Sequence, residues 1–375
     1  MNRTVIILFL SMPITKKRAT LILEDGSQFQ GFSFGASAPA TGEVVFSTAM
    51  TGYPESLTDP SYSGQILVMT YPIVGNYGVP DDEREDGMSK HFESDKVHVR
   101  AVVVADYSDE HSHWNSARSL DEWLREQGVP GIYGVDTRAI TKLLRDHGSM
   151  LGKIAVEGEP TPAGFENPNM ENLVAAVSVK EPVTFGSGRH RIVVVDCGCK
   201  NNIIRHLLRR DATVTLVPWD YDFTRDEYDG VLLSNGPGNP RLPFTTIDNI
   251  QKAMKVGKPI FGICMGNQLL AIAVGAETYK LKYGHRGHNQ SVLLCGTDRA
   301  FVTSQNHGYA VDPATLGPEW ENYFVNLNDG TTEGIRHRSK PFFAVQFHPE
   351  SASGPVDTEF LFDEFMDKVA RARGL

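Results

Sequence analysis

The hydrophobic rhythm of the chain changes near its middle. Up to about residue 156, apolar positions come in short runs broken by Gly and Pro. ATLILEDGSQFQGFSFG alternates and turns at Asp25-Gly26, which predicts a β-hairpin. EVVFSTAM, QILVMTYP and VRAVVVADY read as further strands. Two amphipathic stretches predict helices. SARSLDEWLREQG has Ser116 or Ser119 as its N-cap, and DTRAITKLLRDHG is capped by Asp136 and stopped by Gly148. Strands and helices in this order make an α+β unit over 19–156.

From 157 to 189 the texture turns to Pro, Gly and polar residues, as in GEPTPAGFENPNMEN and EPVTFGSGRH. That composition predicts a linker region. Beyond it, continuous apolar runs alternate with helical ones. RIVVVD, ATVTLVPW, DGVLLSN, KPIFGI and PFFAVQF are strands apolar on both faces. NNIIRHLLRR, TTIDNIQKAMKVG, QLLAIAVG and TEFLFDEFMDKVARA are the helices between and after them. This alternation predicts a doubly wound, mostly parallel α/β domain over 190–375.

Composition narrows the function. A net charge of −10 over 375 residues argues against nucleic acid as the main partner. Four cysteines at 197, 199, 264 and 295 are too few for a disulfide framework and point to a reducing, cytoplasmic setting. The run VIILFL near the start is too short to span a bilayer and lacks a cleavage-site pattern. Residues 1–18 therefore read as an N-terminal extension, with Met12 a plausible working start, and no membrane partner is expected.

Candidate chemistry gathers at the carboxyl ends of the second domain's strands, where open α/β sheets bind ligands. Gly262-Ile-Cys-Met-Gly266 lies between a strand and a helix, the setting of a nucleophile elbow. The helix N-terminus lowers a thiol's pKa and offers free N–H groups. On this motif alone, a packed core thiol and a nucleophile both remain open for Cys264. His348 and Glu350, in FHPE, stand two apart past another strand end, as a base and its orienting carboxylate require. The rigid loop SNGPGNP (234–240) follows a third strand. With the Met265 N–H, it is a candidate oxyanion hole.

Together PGNP, GICMGNQ and FHPE resemble the three signatures of class I (triad) glutamine amidotransferases, over about residues 190–372. The resemblance implies Cys264 as nucleophile, His348 as general base and acid, and Glu350 as its orienter. It implies Gly236, Gly238, Met265 and Gln268 at the glutamine site, with Asn306, Gly308 and Tyr309 from SQNHGYAV. Asn267 departs from the pattern, in which His is commoner. The stretch 41–78 resembles the N-terminal domain of the carbamoyl-phosphate synthetase small subunit, as do GVDTRAITKLLRDHG and DCGCKNNIIRHL. Ser61 falls near that family's glutamine site. The resemblance implies a heterodimer in which this chain hydrolyses L-glutamine. Ammonia would then tunnel to a large subunit carrying ATP, Mg and bicarbonate chemistry, for arginine and pyrimidine synthesis.

No cofactor and no metal are expected in this chain, which lacks a phosphate loop. Cys197-x-Cys199, His285-x-x-His288 and His111-x-His113 have no ligand partners at metal spacing and read as structural or solvated. HRGHN (285–289) also resembles a family segment that shapes the glutamine side. Asp81–Lys96 reads as a solvated loop, with subunit contact as an alternative. Two other functions compete: a non-catalytic regulatory subunit that kept the fold, against which the intact Cys, His and Glu argue, and a free-standing thiol hydrolase, against which the long N-terminal domain argues.

Overall fold

The computed structural model describes residues 16–374. VIILFL and Met12 lie outside the described residues, and the extension's last residue, Arg18, opens the first strand.

The N-terminal half closes into a barrel. Its strands are Arg18–Leu23 (β1), Gln28–Gly35 (β2), Ala40–Ser47 (β3), Gln65–Met69 (β4), Ala101–Val103 (β5), Pro130–Tyr133 (β6) and Met150–Val156 (β7). Around the barrel they run β1-β7-β3-β4-β5-β6-β2. The β1–β2 hairpin turns at Asp25-Gly26, with Gly26 at φ 90° as the tight turn requires. Three helices accompany it: Tyr53–Thr58 (α1), Leu120–Glu126 (α2) and Thr137–His147 (α3). Ser119 caps α2 through a reciprocal box with Glu122, whereas Ser116 bonds His111 instead. Asp136 and Gly148 bound α3.

The stretch read as a solvated loop is anchored. Ser89, Phe92 and Glu93 are buried, and Phe92 stacks on Trp123 at 5.2 Å. Glu93 Oε2 accepts from Asn202 N at 3.1 Å, and Arg205 donates to Oε1 at 3.2 Å, tying the barrel to a helix of the second domain. Dense local charge hid a few buried anchors among solvated neighbours. The 157–189 region likewise holds a short helix, Leu173–Val177 (α4), and an edge strand, Val183–Phe185 (β8).

The second domain is one ten-stranded sheet. After β8 come His190–Asp196 (β9), Ala212–Pro218 (β10), Gly230–Leu233 (β11), Ile260–Ile263 (β12), Thr278–Leu294 (β13), Ala300–Val311 (β14), Trp320–Asn326 (β15), Thr332–His337 (β16) and Phe342–Val345 (β17). Their order is β8-β10-β9-β11-β12-β17-β16-β14-β13-β15. Strands β10, β9, β11, β12 and β17 pair in parallel. Helices Asn201–Leu208 (α5) and Phe360–Ala372 (α8) cover one face, while Phe244–Val256 (α6) and Met265–Ala273 (α7) cover the other. This is the doubly wound α/β architecture. To it is added the antiparallel group β13–β16, which carries a wall of the site. Among the described residues no helix is long and apolar enough to cross a membrane.

Candidate active site

Cys264 sits between β12 and α7 with φ 52° and ψ −99°, a strained conformation for a residue with a side chain. Its neighbours explain the two glycines. A Cβ on Gly262 would lie 2.7 Å from the Gly266 carbonyl, and one on Gly266 would lie 2.2 Å from the Leu233 carbonyl. The turn is pinned by Cys264 N donating to Val345 O at 2.8 Å and Gly266 N donating to Ser234 O at 3.0 Å. Met265 thereby takes the first position of α7, where a backbone N–H has no partner within the helix.

His348 and Glu350 follow β17, and both are buried. His348 Nδ1 lies 2.6 Å from Glu350 Oε1. The other nitrogen, Nε2, is buried without a hydrogen-bond partner, with Cys264 close enough to act on the imidazole's charge. Burial pulls the imidazolium down, but the Glu350 and Cys264 charges outweigh it and raise His348 to about 10. Burial pushes Glu350 up, but Lys200 and His348 hold it down to about 2. Lys200 Nζ stands 3.0 Å from Glu350 Oε1 and donates to Ser351 O at 2.5 Å. The acid is thus held between two buried cations.

A cleft of about 480 Å³, counting its open mouth, lies over the sulfur. Cys264 lines it with Ser61, Gly236, Gly238, Met265, Gln268, Asn306, Gly308 and Tyr309, so it gathers every residue expected at the glutamine site. His348 borders a second cavity that shares Asn306 with the first. In the SNGPGNP loop, Gly236 passes so close to Cys197 O that a Cβ would meet it at 2.0 Å, and Gly238 takes φ 85°.

Several contributors carry no sequence motif. The barrel domain supplies one wall through Glu43, Gln65 and Ser149, and the 157–189 region adds Asn169. Asp59 joins the domains: Asn235 Nδ2 donates to its Oδ1 at 3.2 Å, and Asn306 Nδ2 to its Oδ2 at 3.1 Å. Asn235 Nδ2 also donates to Ser61 Oγ at 2.9 Å. Glu43 pairs with Lys280 at 2.5 Å. Burial raises this carboxyl, but Lys280 and Arg286 bring it below its ordinary range. Arg286 is only 6% exposed and has no ion-pair partner among the described residues. Its Nη1 donates to Tyr283 O at 2.8 Å, and its Nε is unpartnered. Burial lowers its pKa despite the nearby Glu43.

His285 is buried 2.9 Å from Asp329 and 3.4 Å from Glu333. With His307 and Glu333 it forms a group close enough to hold a metal ion, but both His307 nitrogens are engaged, by Tyr309 O and Gln305. The cysteines at 197, 199, 264 and 295 are all unpaired.

Residues 193–368 match the family described as glutamine amidotransferase class-I, and residues 21–154 match the carbamoyl-phosphate synthase small chain, CPSase domain. The two matches lie one after the other along the chain. It is 53% identical to multifunctional protein CAD of Squalus acanthias over 93% of its length, 50% identical to human mitochondrial carbamoyl-phosphate synthase [ammonia] over 96%, and 48% identical to multifunctional protein ura1 of Schizosaccharomyces pombe over 95%. It spans 16%, 24% and 17% of those proteins' own lengths.

Proposed function

We propose that this chain is the glutaminase component of a glutamine-hydrolysing carbamoyl-phosphate synthase. The observation that carries the reading is the buried His348–Glu350 pair, at 2.6 Å, set against a buried cysteine on a strained elbow that lines a cleft. Cys264 passes its thiol proton to His348, and its Sγ attacks the side-chain amide carbon of L-glutamine. Negative charge develops on the amide oxygen, where the Met265 N–H and the Gly236 loop act as donors. His348 protonates the departing nitrogen, which leaves as ammonia, and a γ-glutamyl thioester remains on Cys264. His348 then takes a proton from water, the resulting nucleophile attacks the thioester, and glutamate leaves as the thiol reforms. Glu350 keeps the imidazole oriented and charged, and Lys200 keeps Glu350 ionised.

Ser61, Gly236, Gly238, Met265, Gln268, Asn306, Gly308 and Tyr309 form the glutamine site in this reading. Arg286 brings a buried positive charge to the cleft wall, which suits a substrate with a free carboxylate. Bicarbonate and ATP with Mg belong to a large synthetase component, the partner in carbamoyl phosphate synthesis for arginine and pyrimidines.

The human relative is named for ammonia, which favours a second reading: a chain that keeps the fold and supplies no ammonia of its own. One experiment separates the two. With the large component present, Cys264→Ala abolishes synthesis from glutamine and leaves synthesis from added ammonia. If the wild-type chain supports synthesis from ammonia alone, the second reading is correct.

A further inference from the structure

A chain of amides connects the glutamine cleft to the back of the nucleophile. Gln268 Nε2 donates to Tyr309 O at 3.0 Å and to Gln346 Oε1 at 3.2 Å. Asn267 Nδ2 donates to the same Oε1 at 3.0 Å. Gln346 Nε2 donates to Cys264 Sγ at 3.6 Å. Gln346 and Asn267 are both fully buried.

The orientation of every amide follows from one backbone atom. A carbonyl oxygen only accepts, so Tyr309 O fixes which end of Gln268 is nitrogen. That nitrogen makes Gln346 present oxygen to it, and Asn267 adds a second donor to the same oxygen. Turning the Gln346 amide over would set its NH2 against the Gln268 donor, which Tyr309 O holds in place. Its Nε2–H is therefore held on the sulfur. Asn267 contributes nothing else there, since its own Oδ1 is buried without a partner.

We propose that Gln346 is a positioning residue that donates a hydrogen bond to the Cys264 thiolate, and that Asn267 acts through it by locking its amide. The proposal rests on reading Cys264 as the nucleophile. It gives a role to the one elbow residue that departs from the family pattern. The charged groups facing the sulfur are His348, after β17, and Arg286, on β13. The variants below leave both in place.

The test is the pH dependence of Cys264 alkylation by iodoacetamide in the full chain, with circular dichroism as a check on folding. Gln346→Met keeps the volume and removes the donor, and it lowers the rate at neutral pH by about tenfold. Asn267→Leu lowers it by about threefold. Because one residue acts through the other, the double variant is no slower than Gln346→Met alone. All deficits close as the pH is raised and the thiol ionises regardless. A full neutral-pH rate in Gln346→Met, losses that multiply in the double variant, or deficits that persist in alkali would each overturn the proposal. If Gln346→Met does not fold, Asn267→Leu carries the same pH signature. Iodoacetamide reports the thiolate whether or not glutamine is hydrolysed, so a failure of the glutaminase reading stays separately visible.

Discussion

Glu350 is buried between Lys200 at 3.0 Å and His348 at 2.6 Å, so neutralising it affects two cations at once. Glu350→Gln is expected to lower kcat about 100-fold or more, with KM for glutamine little changed. It should also cost about 3–5 kcal/mol of stability, because it strands buried charges. Steady-state kinetics and urea unfolding check both. The pH limbs follow from signs. The folded state lowers Glu350 from 4.5 to about 2, so its stabilisation is complete above the unfolded value and fades as pH falls through that window. It raises His348 from 6.5 to about 10, so that contribution is complete below 6.5 and is lost as pH rises toward 10. Wild-type Tm should drop across this upper window, and His348→Asn should flatten the drop. Cys264, His348 and Glu350 were legible because their chemistry needs fixed residue types beside strand ends. Lys200 and Gln346 were not, because a single Lys or Gln gains its meaning only from what the fold brings against it, and Arg286 was reached only as part of the HRGHN stretch.

Among the elements, the elbow joining β12 to α7 is the most constrained. Gly266→Ala would put a methyl 2.2 Å from the Leu233 carbonyl. It is expected to cost about 1–3 kcal/mol and to displace the nucleophile, so glutaminase activity should fall further than Tm alone would suggest. Assay and thermal melt on the same preparation test this. Elements with strong local signals were readable: the β1–β2 hairpin, the caps of α3, and the parallel strands with their continuous apolar runs. The antiparallel group β13–β16 was not. Its long strands β13 and β14 mix buried histidines, arginine and glutamine with exposed residues, so neither a period of two nor an apolar run emerges. Their polar interior serves the cleft, and function there overrides the pattern that would have revealed the fold.

At the scale of the whole molecule, the barrel domain completes the site. Asp59 holds Asn235 and Asn306 from across the domain boundary, and Ser61 joins the same network. Asp59→Ala leaves those buried amides short of a partner. It is expected to cost about 2–3 kcal/mol and to raise KM for glutamine by about tenfold. Hydrogen exchange should show faster opening on both sides of that boundary. The change of rhythm near residue 157 reads as a linker region, and the structure puts a short helix and an edge strand of the second sheet there. The contacts across the domain boundary were not readable, because Asp59 and Glu43 sit in stretches whose local pattern says only turn and strand. Trapping of the covalent intermediate tests Cys264 as the nucleophile. The chain is mixed with labelled L-glutamine, quenched in acid and digested, and its peptides are weighed. A thioester mechanism at Cys264 predicts a γ-glutamyl group on the peptide containing Cys264, absent from Cys264→Ala and accumulating in a variant slow to deacylate. Glutamine hydrolysis with no adduct on that peptide, or with the adduct unchanged in Cys264→Ala, would contradict it.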